Sequence, residues 1–332
     1  MRCVAQCVLA AAGLGLFLLP AQDRAPAYRV TGPFPHENLS VFLIQGSSRT
    51  DARRFLTLEE ALAQKKIAVY ETGNVNELAV ENLSNQDVFI QSGDIVKGGQ
   101  QDRTFETDLI LPTGSGRTPI KAFCVEHGRW SRRGGESVRQ FDSAGMMVAS
   151  REMKMAVKSE RNQSKVWKEV EQMQAKLRGS LGTGVVGGAS PSSMQLTLEN
   201  SAVRKSTDAY LRTLENLPAG KAGIVGYAFA INGKLNSAEV YASNELFLKL
   251  WPKLLRAAAV EAVAESGGNV RAAAPSAAEV EATLLKGDGA AKTGEVNPRT
   301  KVVTRESDRT MLFETQDRAA KDAWVHRSYI AK

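Results

Sequence analysis

The densest run of polar, chemically versatile residues lies at residues 91–103, QSGDIVKGGQQDR. Asp94, Lys97, Gln101, Asp102 and Arg103 crowd a glycine-bearing stretch between two apolar runs. Gly98-Gly99 lets the backbone approach a ligand or another strand closely, and loops carried on strands are where binding sites tend to be built. A second cluster follows at residues 123–130, FCVEHGRW, with Glu126, His127, Arg129 and Trp130. Carboxylates beside an imidazole suit general acid–base work, so Asp102, Glu126 and His127 are the candidate catalytic groups. Arginine forks suit phosphate or carboxylate. Together these residues form the expected ligand-binding set: Asp94, Lys97, Gln101, Asp102, Arg103, Glu126, His127, Arg129 and Trp130. The competing expectation is a solvated hairpin tip that satisfies its own charges.

Other chemistry is weaker. A cysteine nucleophile needs a base in reach and a lowered pKa. Strand alternation through residues 123–127 would point Cys124 and His127 to opposite faces, so Cys124 reads as a small buried apolar residue. Residues 182–187, GTGVVG, match a dinucleotide fingerprint in letters only, because a helix precedes them where a strand is needed. No H-x-x-H or H-E-x-x-H arrangement occurs among His36, His127 and His326, and no metal is expected. A site assembled across strands from His127, His326 and Glu126 or Glu314 is the alternative. In AWVHRSYI (323–330), alternation puts Trp324, His326 and Ser328 on one face, which makes His326 a core histidine.

The charge is local. The chain carries a net +7, and residues 129–168 hold ten Lys or Arg against four Asp or Glu. That surplus of six matches what the mature chain would keep once Arg2 leaves with a leader. A neutral molecule with one basic region argues for contact with an anionic small molecule or an acidic glycan, and against nucleic-acid coating. No protein partner is named by the sequence.

These residues need a scaffold, and 332 residues are enough for one large domain or two modest ones. Hydrophobic residues at 43% and charged residues at 24% exclude whole-chain disorder, a collagen-like fibre and a multi-span membrane protein. Arg2, the apolar run 8–19 and Pro20-Ala21 have the layout of a secretory signal peptide, residues 1–21, with the cut between 21 and 27. Its apolar run is too short for a comfortable span, so no stable membrane span would remain after cleavage. The expected localisation is periplasmic or secreted. Cleavage leaves Cys124 alone, so no intrachain disulfide can form. Export also argues against ATP, NAD and glutathione, and no cofactor is expected.

Short apolar runs at 39–44, 67–71, 77–82, 87–93, 105–111 and 118–125 read as strands, and 57–64 as a helix with Thr57 and Glu60 as a capping box. Residues 131–150 read as a loop, 164–178 as a helix and 179–193 as a flexible glycine- and serine-rich loop. A helix over 201–215 and strands at 222–231 and 238–242 follow, with Asn232-Gly233 as the hairpin turn. Residues 244–265 read as a long helix in which Pro252 is a kink or a second start. An Ala/Gly/Ser-rich insert covers 267–298, and 310–315 pairs with 323–330. The expected fold is α+β: an antiparallel-rich sheet flanked by helices, one integrated domain over 28–332 with both ends returning to one sheet.

Residues 71–112, together with 123–136, 246–262 and 313–332, resemble a bacterial family of undetermined function, the ARG-and-rhodanese-phosphatase-superfamily-associated protein domain. The resemblance runs from Tyr28 to Lys332 apart from the insert. The family's name refers to associated ADP-ribosylglycohydrolase-like and phosphatase-like domains, which implies binding or processing of a nucleotide or phosphorylated ligand. It carries over no catalytic residues. The expected function is therefore an exported binding or interaction module for an anionic or phosphorylated ligand. The alternative is a hydrolase or transferase acting on a phosphorylated or ADP-ribosyl substrate.

Overall fold

A computed structural model describes residues 28–48, 54–267 and 272–332. The expected leader lies outside the described residues. The largest sheet has eight strands in the order Arg29–His36, Leu39–Gln45, Ile224–Ile231, Lys234–Tyr241, Ala323–Ala331, Thr310–Asp317, Thr300–Glu306 and Ala290–Glu295. Every neighbouring pair in it is antiparallel. Both ends of the chain do return to one sheet: Arg29–His36 forms one edge, and Ala323–Ala331 lies in the interior. The turn joining Ile224–Ile231 to Lys234–Tyr241 is Asn232-Gly233, both with positive φ, as a two-residue hairpin turn requires.

A six-stranded sheet holds Phe141–Met147, Asp94–Gly98, Arg103–Phe105, Arg117–Cys124, Glu77–Asn82 and Ile67–Glu71. A small sheet of Leu56–Thr57, Val88–Ile90 and Leu109–Leu111 completes the set, with one parallel pair. Between these two sheets lies a core that includes Leu58, Val80, Phe105, Ile120 and Phe141. One face of the large sheet, carrying Leu39, Tyr227, Phe229 and Tyr241, is buried under Gln163–Leu181, Ser201–Leu214 and Asn244–Ala264. The other face, with Phe42, Val240 and Tyr329, is covered by Val280 and Leu284. The result is one compact α+β domain. Among the described residues no helix is long and apolar enough to cross a membrane.

Several elements differ from the sequence reading. Residues 131–150 contain the strand Phe141–Met147, and the insert 267–298 contains the edge strand Ala290–Glu295. The run 105–111 is two strands, Arg103–Phe105 and Leu109–Leu111, which belong to different sheets. Asn244–Ala264 is one continuous helix through Pro252. The strand Ala323–Ala331 has a register shift opposite Thr315 and Gln316. That irregularity breaks the alternation: Trp324 packs with the Tyr329 cluster, away from His326.

Candidate functional site

The polar residues legible in the sequence separate into two places. Asp94–Gly98 and Arg103–Phe105 form a hairpin whose turn, Gly99 to Asp102, sits beneath residues 126–136. Gly98 and Gly99 both have positive φ, and a Cβ at Gly99 would collide with the Phe141 ring, so the turn needs glycine there. Asp102 is fully buried and takes both oxygens to the Arg133 guanidinium at 2.8 and 2.9 Å. The Ser193 hydroxyl donates to it at 2.9 Å, and its own amide donates to Glu126 Oε2 at 2.9 Å. Arg129 grips Glu126 through Nε at 2.7 Å and Nη2 at 2.7 Å, and its guanidinium also donates to the Gly98 and Gly99 carbonyls. Burial pushes the Asp102 carboxyl up against the pull of Arg133. Desolvation also raises Glu126, but hydrogen bonds from Arg129, Ser190 and the Asp102 amide outweigh it and hold the carboxyl below its usual range. The forks of both arginines are thus spent on internal carboxylates. Asp102, Glu126 and Arg129 come together as expected, but as a satisfied buried network. Arg133 and Ser193, read only as charge and loop, are its other members.

The remaining expected residues stand elsewhere. Gln101 and Arg103 are buried, with Arg103 donating to the Gln101 carbonyl at 3.0 Å and lying 3.6 Å from Glu71. Lys97 pairs with Glu199 at 3.2 Å. His127 is exposed beside the Trp167 ring, at 4.5 Å between centroids, and Trp130 is 56% exposed. The Arg117–Cys124 strand stops before His127, so alternation does not set that ring's direction. Cys124 is buried, and burial pushes its thiol up to about 11. Asp94 is not part of this network and pairs with Lys253.

Asp94 borders a second, deeper polar cluster that the sequence did not reveal. His326, wholly buried, is held between Asp108 Oδ2 at 2.7 Å through Nδ1 and Glu239 Oε2 at 2.9 Å through Nε2. The convergence of His326 with His127, Glu126 or Glu314 is therefore not what the fold makes; Glu314 pairs instead with Arg327. Lys154 donates to Ser237 at 3.0 Å and lies 3.6 Å from Glu239. Desolvation alone would raise both acids, but His326 and Lys158 hold Asp108 well down, and Lys158, His326 and Lys154 bring Glu239 to about 2. Desolvation works against the imidazolium, and the two carboxylates outweigh it, so His326 is raised.

Lys158 links this cluster to solvent. It comes from Arg151–Met155 and the π-helical turn Ala156–Glu160 that continues it. Ser150 caps the start, Arg161 in the left-handed region ends it, and Asn162 caps the next helix. π-turns inside helices recur at functional sites. Lys158 is 6% exposed, and its ammonium lies 5.5 Å from the Phe313 ring centre. Among the described residues it has no hydrogen bond or close ion pair. Its charge acts on Asp108 and Glu239, so Lys158 belongs to the same cluster although no acceptor touches it. It lines a pocket of about 320 Å³ with Arg161, Lys292, Thr304, Glu306 and Phe313. Among the described residues no group of three or more His, Cys, Asp or Glu is placed to hold a metal.

The family model of the ARG and Rhodanese-Phosphatase-superfamily-associated Protein domain matches residues 27–330. No curated protein and no solved structure matches the chain.

Proposed function

The chain belongs to the ARG and Rhodanese-Phosphatase-superfamily-associated Protein domain family, and we propose that it is a binding module for an anionic ligand, phosphate- or carboxylate-bearing, seated against Lys158. The observation that carries this reading is the buried Lys158 ammonium, which has no hydrogen-bond acceptor among the described residues and lines a pocket together with Arg161 and Lys292. A buried ammonium without a hydrogen-bond acceptor is costly, and an anion entering the pocket supplies one. Lys158 and Arg161 of that pocket belong to the basic stretch, residues 129–168. Export to the periplasm or medium is part of the proposal and rests on the N-terminal pattern; fractionation with N-terminal sequencing of the mature protein tests it.

A hydrolase or transferase using Asp102, Glu126 and His127 has less support. Both carboxylates are locked by arginines, and His127 stands exposed beside Trp167.

The experiment is a thermal-shift and calorimetric titration with inorganic phosphate and pyrophosphate. Ligand should raise the melting point by mass action, and Lys158→Met should abolish the response. Lys97→Ala, at a lysine paired with Glu199, should respond like wild type. No response of the wild type to either anion, or an unchanged response in Lys158→Met, overturns the assignment.

A further inference from the structure

We propose that the groove at Lys158 takes a short zwitterion, a carboxylate or phosphate at one end and an ammonium at the other, with the anion against Lys158 and the ammonium against Glu106. This rests on the anion-binding reading and names the class of ligand. The 320 Å³ pocket adjoins a second of about 250 Å³, and Arg161, Gly294 and Val302 line both, so the two form one groove. The large sheet contributes Gly294 and Val302 to it, and the strand Arg117–Cys124 of the six-stranded sheet contributes Pro119, Ile120 and Lys121. Each pocket holds a buried charged group that is short of hydrogen bonds. In the first it is Lys158, which no acceptor touches. In the second it is Glu106, 5% exposed. The Arg161 Nε lies 3.2 Å from Glu106 Oε1, but that arginine is itself half exposed, and among the described residues Oε2 accepts no hydrogen bond. Burial pushes the Glu106 carboxyl up, against the pull of Arg161 and Lys121.

The two ends of the groove differ in sign. Lys292 joins Lys158 in the first pocket, and Glu77 joins Glu106 in the second, with no close ion pair to Glu77 among the described residues. The groove's other carboxylates, Glu295 and Glu306, are exposed and pair with Arg318 and Lys332. A simple anion would serve Lys158 and leave Glu106 as it is. A dianion reaching both pockets would set its second charge against Glu77 and Glu106. A ligand of opposite ends gives each buried group a charged partner, and charge-assisted hydrogen bonds are the strong ones. Between the ends the lining is apolar: Val302 borders both pockets, and Ile120 and Val296 border the second. Methylene groups suit that lining. The length follows from the strand. Lys158 lies over Phe313, which pairs with Thr304, and Val302 is two residues along from Thr304 on the same face. Two strand residues cover roughly 7 Å, and an extended linker of about five methylenes spans a similar distance.

The probes are hexanoate, 6-aminohexanoate, acetate and glycine, titrated calorimetrically at neutral pH beside inorganic phosphate. The wild type should bind 6-aminohexanoate at least about tenfold more tightly than hexanoate, because only the former brings a donor to Glu106. Glycine, whose charges are too close together to reach both groups, should bind no better than acetate. Phosphate should compete 6-aminohexanoate away. In Glu106→Gln the preference for 6-aminohexanoate over hexanoate should fall to near unity, and Lys158→Met should lose both ligands. The comparison within the wild type does not depend on any variant folding. If a protein that binds phosphate takes 6-aminohexanoate no more tightly than hexanoate, or if the preference persists in Glu106→Gln, the two-ended site is overturned and the anion site stands. Failure of phosphate itself to bind removes the anion site, and this proposal with it.

Discussion

Glu261 and Arg133 show how far a residue's role departs from its type. Glu261 lies in an alanine-rich helix, 4% exposed. Its Oε1 accepts from the Arg151 amide and Asn236, while Oε2 has no partner among the described residues. Burial pushes its carboxyl up to about 7. A folded value above the unfolded one means the contribution to stability is complete below about pH 4.5 and is lost as pH rises towards 7. Glu261→Gln keeps the accepting oxygen without the charge. It should stabilise the protein at pH 8 by on the order of 3 kcal/mol and leave it nearly unchanged at pH 4.5, in urea titrations at both values. Equal effects at the two pH values would refute the assignment. Arg133→Ala should cost about 3–5 kcal/mol, because it strips the bidentate partner from buried Asp102; adding Asp102→Asn should recover part of that loss. At this scale the sequence disclosed Asp102, Glu126 and Arg129, because they are dense and close in the chain. It could not disclose Lys158 or Glu261, since both types are almost always exposed and only tertiary packing buries them.

Elements with strong local chemistry were readable, and those defined by distant pairing were not. Thr57 and Glu60 make both hydrogen bonds of a capping box, and Asn232-Gly233 turns its hairpin. These signals are complete within a few residues. Arg103–Phe105 and Leu109–Leu111 look like one apolar run, yet they join different sheets through partners far along the chain. Phe141–Met147 was hidden by glycines, and only pairing with Asp94–Gly98 makes it a strand. Pro252 is the opposite case: a local signal overruled by packing. It sits exposed in mid-helix, flanked by buried Trp251 and Lys253. The burial of Leu246, Leu250, Leu254 and Val260 on the same helix keeps it continuous despite the missing amide. Pro252→Ala restores that donor and raises helix propensity. It should add about 1–3 kcal/mol in thermal or chemical unfolding, and a destabilised variant would show that the proline is required for the helix path.

For the whole molecule, the α+β class and the return of both chain ends to one sheet were legible from pattern alone. The division of the strands into three sheets was not, because strand order depends on long-range register. That order is what assembles the charged interior: Asp108 leads into the small sheet, while Glu239 and His326 stand on neighbouring strands of the large one. The assembly gives the protein a definite pH optimum. Asp108 and Glu239 are depressed, so their contribution is present above their unfolded values near 4 and is lost as pH falls. His326 is raised, so its contribution is complete below about 6.5 and is lost as pH climbs through the higher folded value. Glu261 adds a loss between about 4.5 and 7. Stability should therefore peak in mildly acidic solution, near pH 5, and decline on both sides. In Glu261→Gln the maximum should move towards pH 6, since the remaining alkaline loss begins only where His326 titrates. In His326→Gln the acid limb should begin at higher pH, because Asp108 and Glu239 lose the cation that holds them down, and the limb above pH 7 should flatten. Urea midpoints across pH 3–9 for the three proteins test this, and a wild-type stability that climbs steadily from pH 5 to 8 would show that the buried imidazolium does not organise the core.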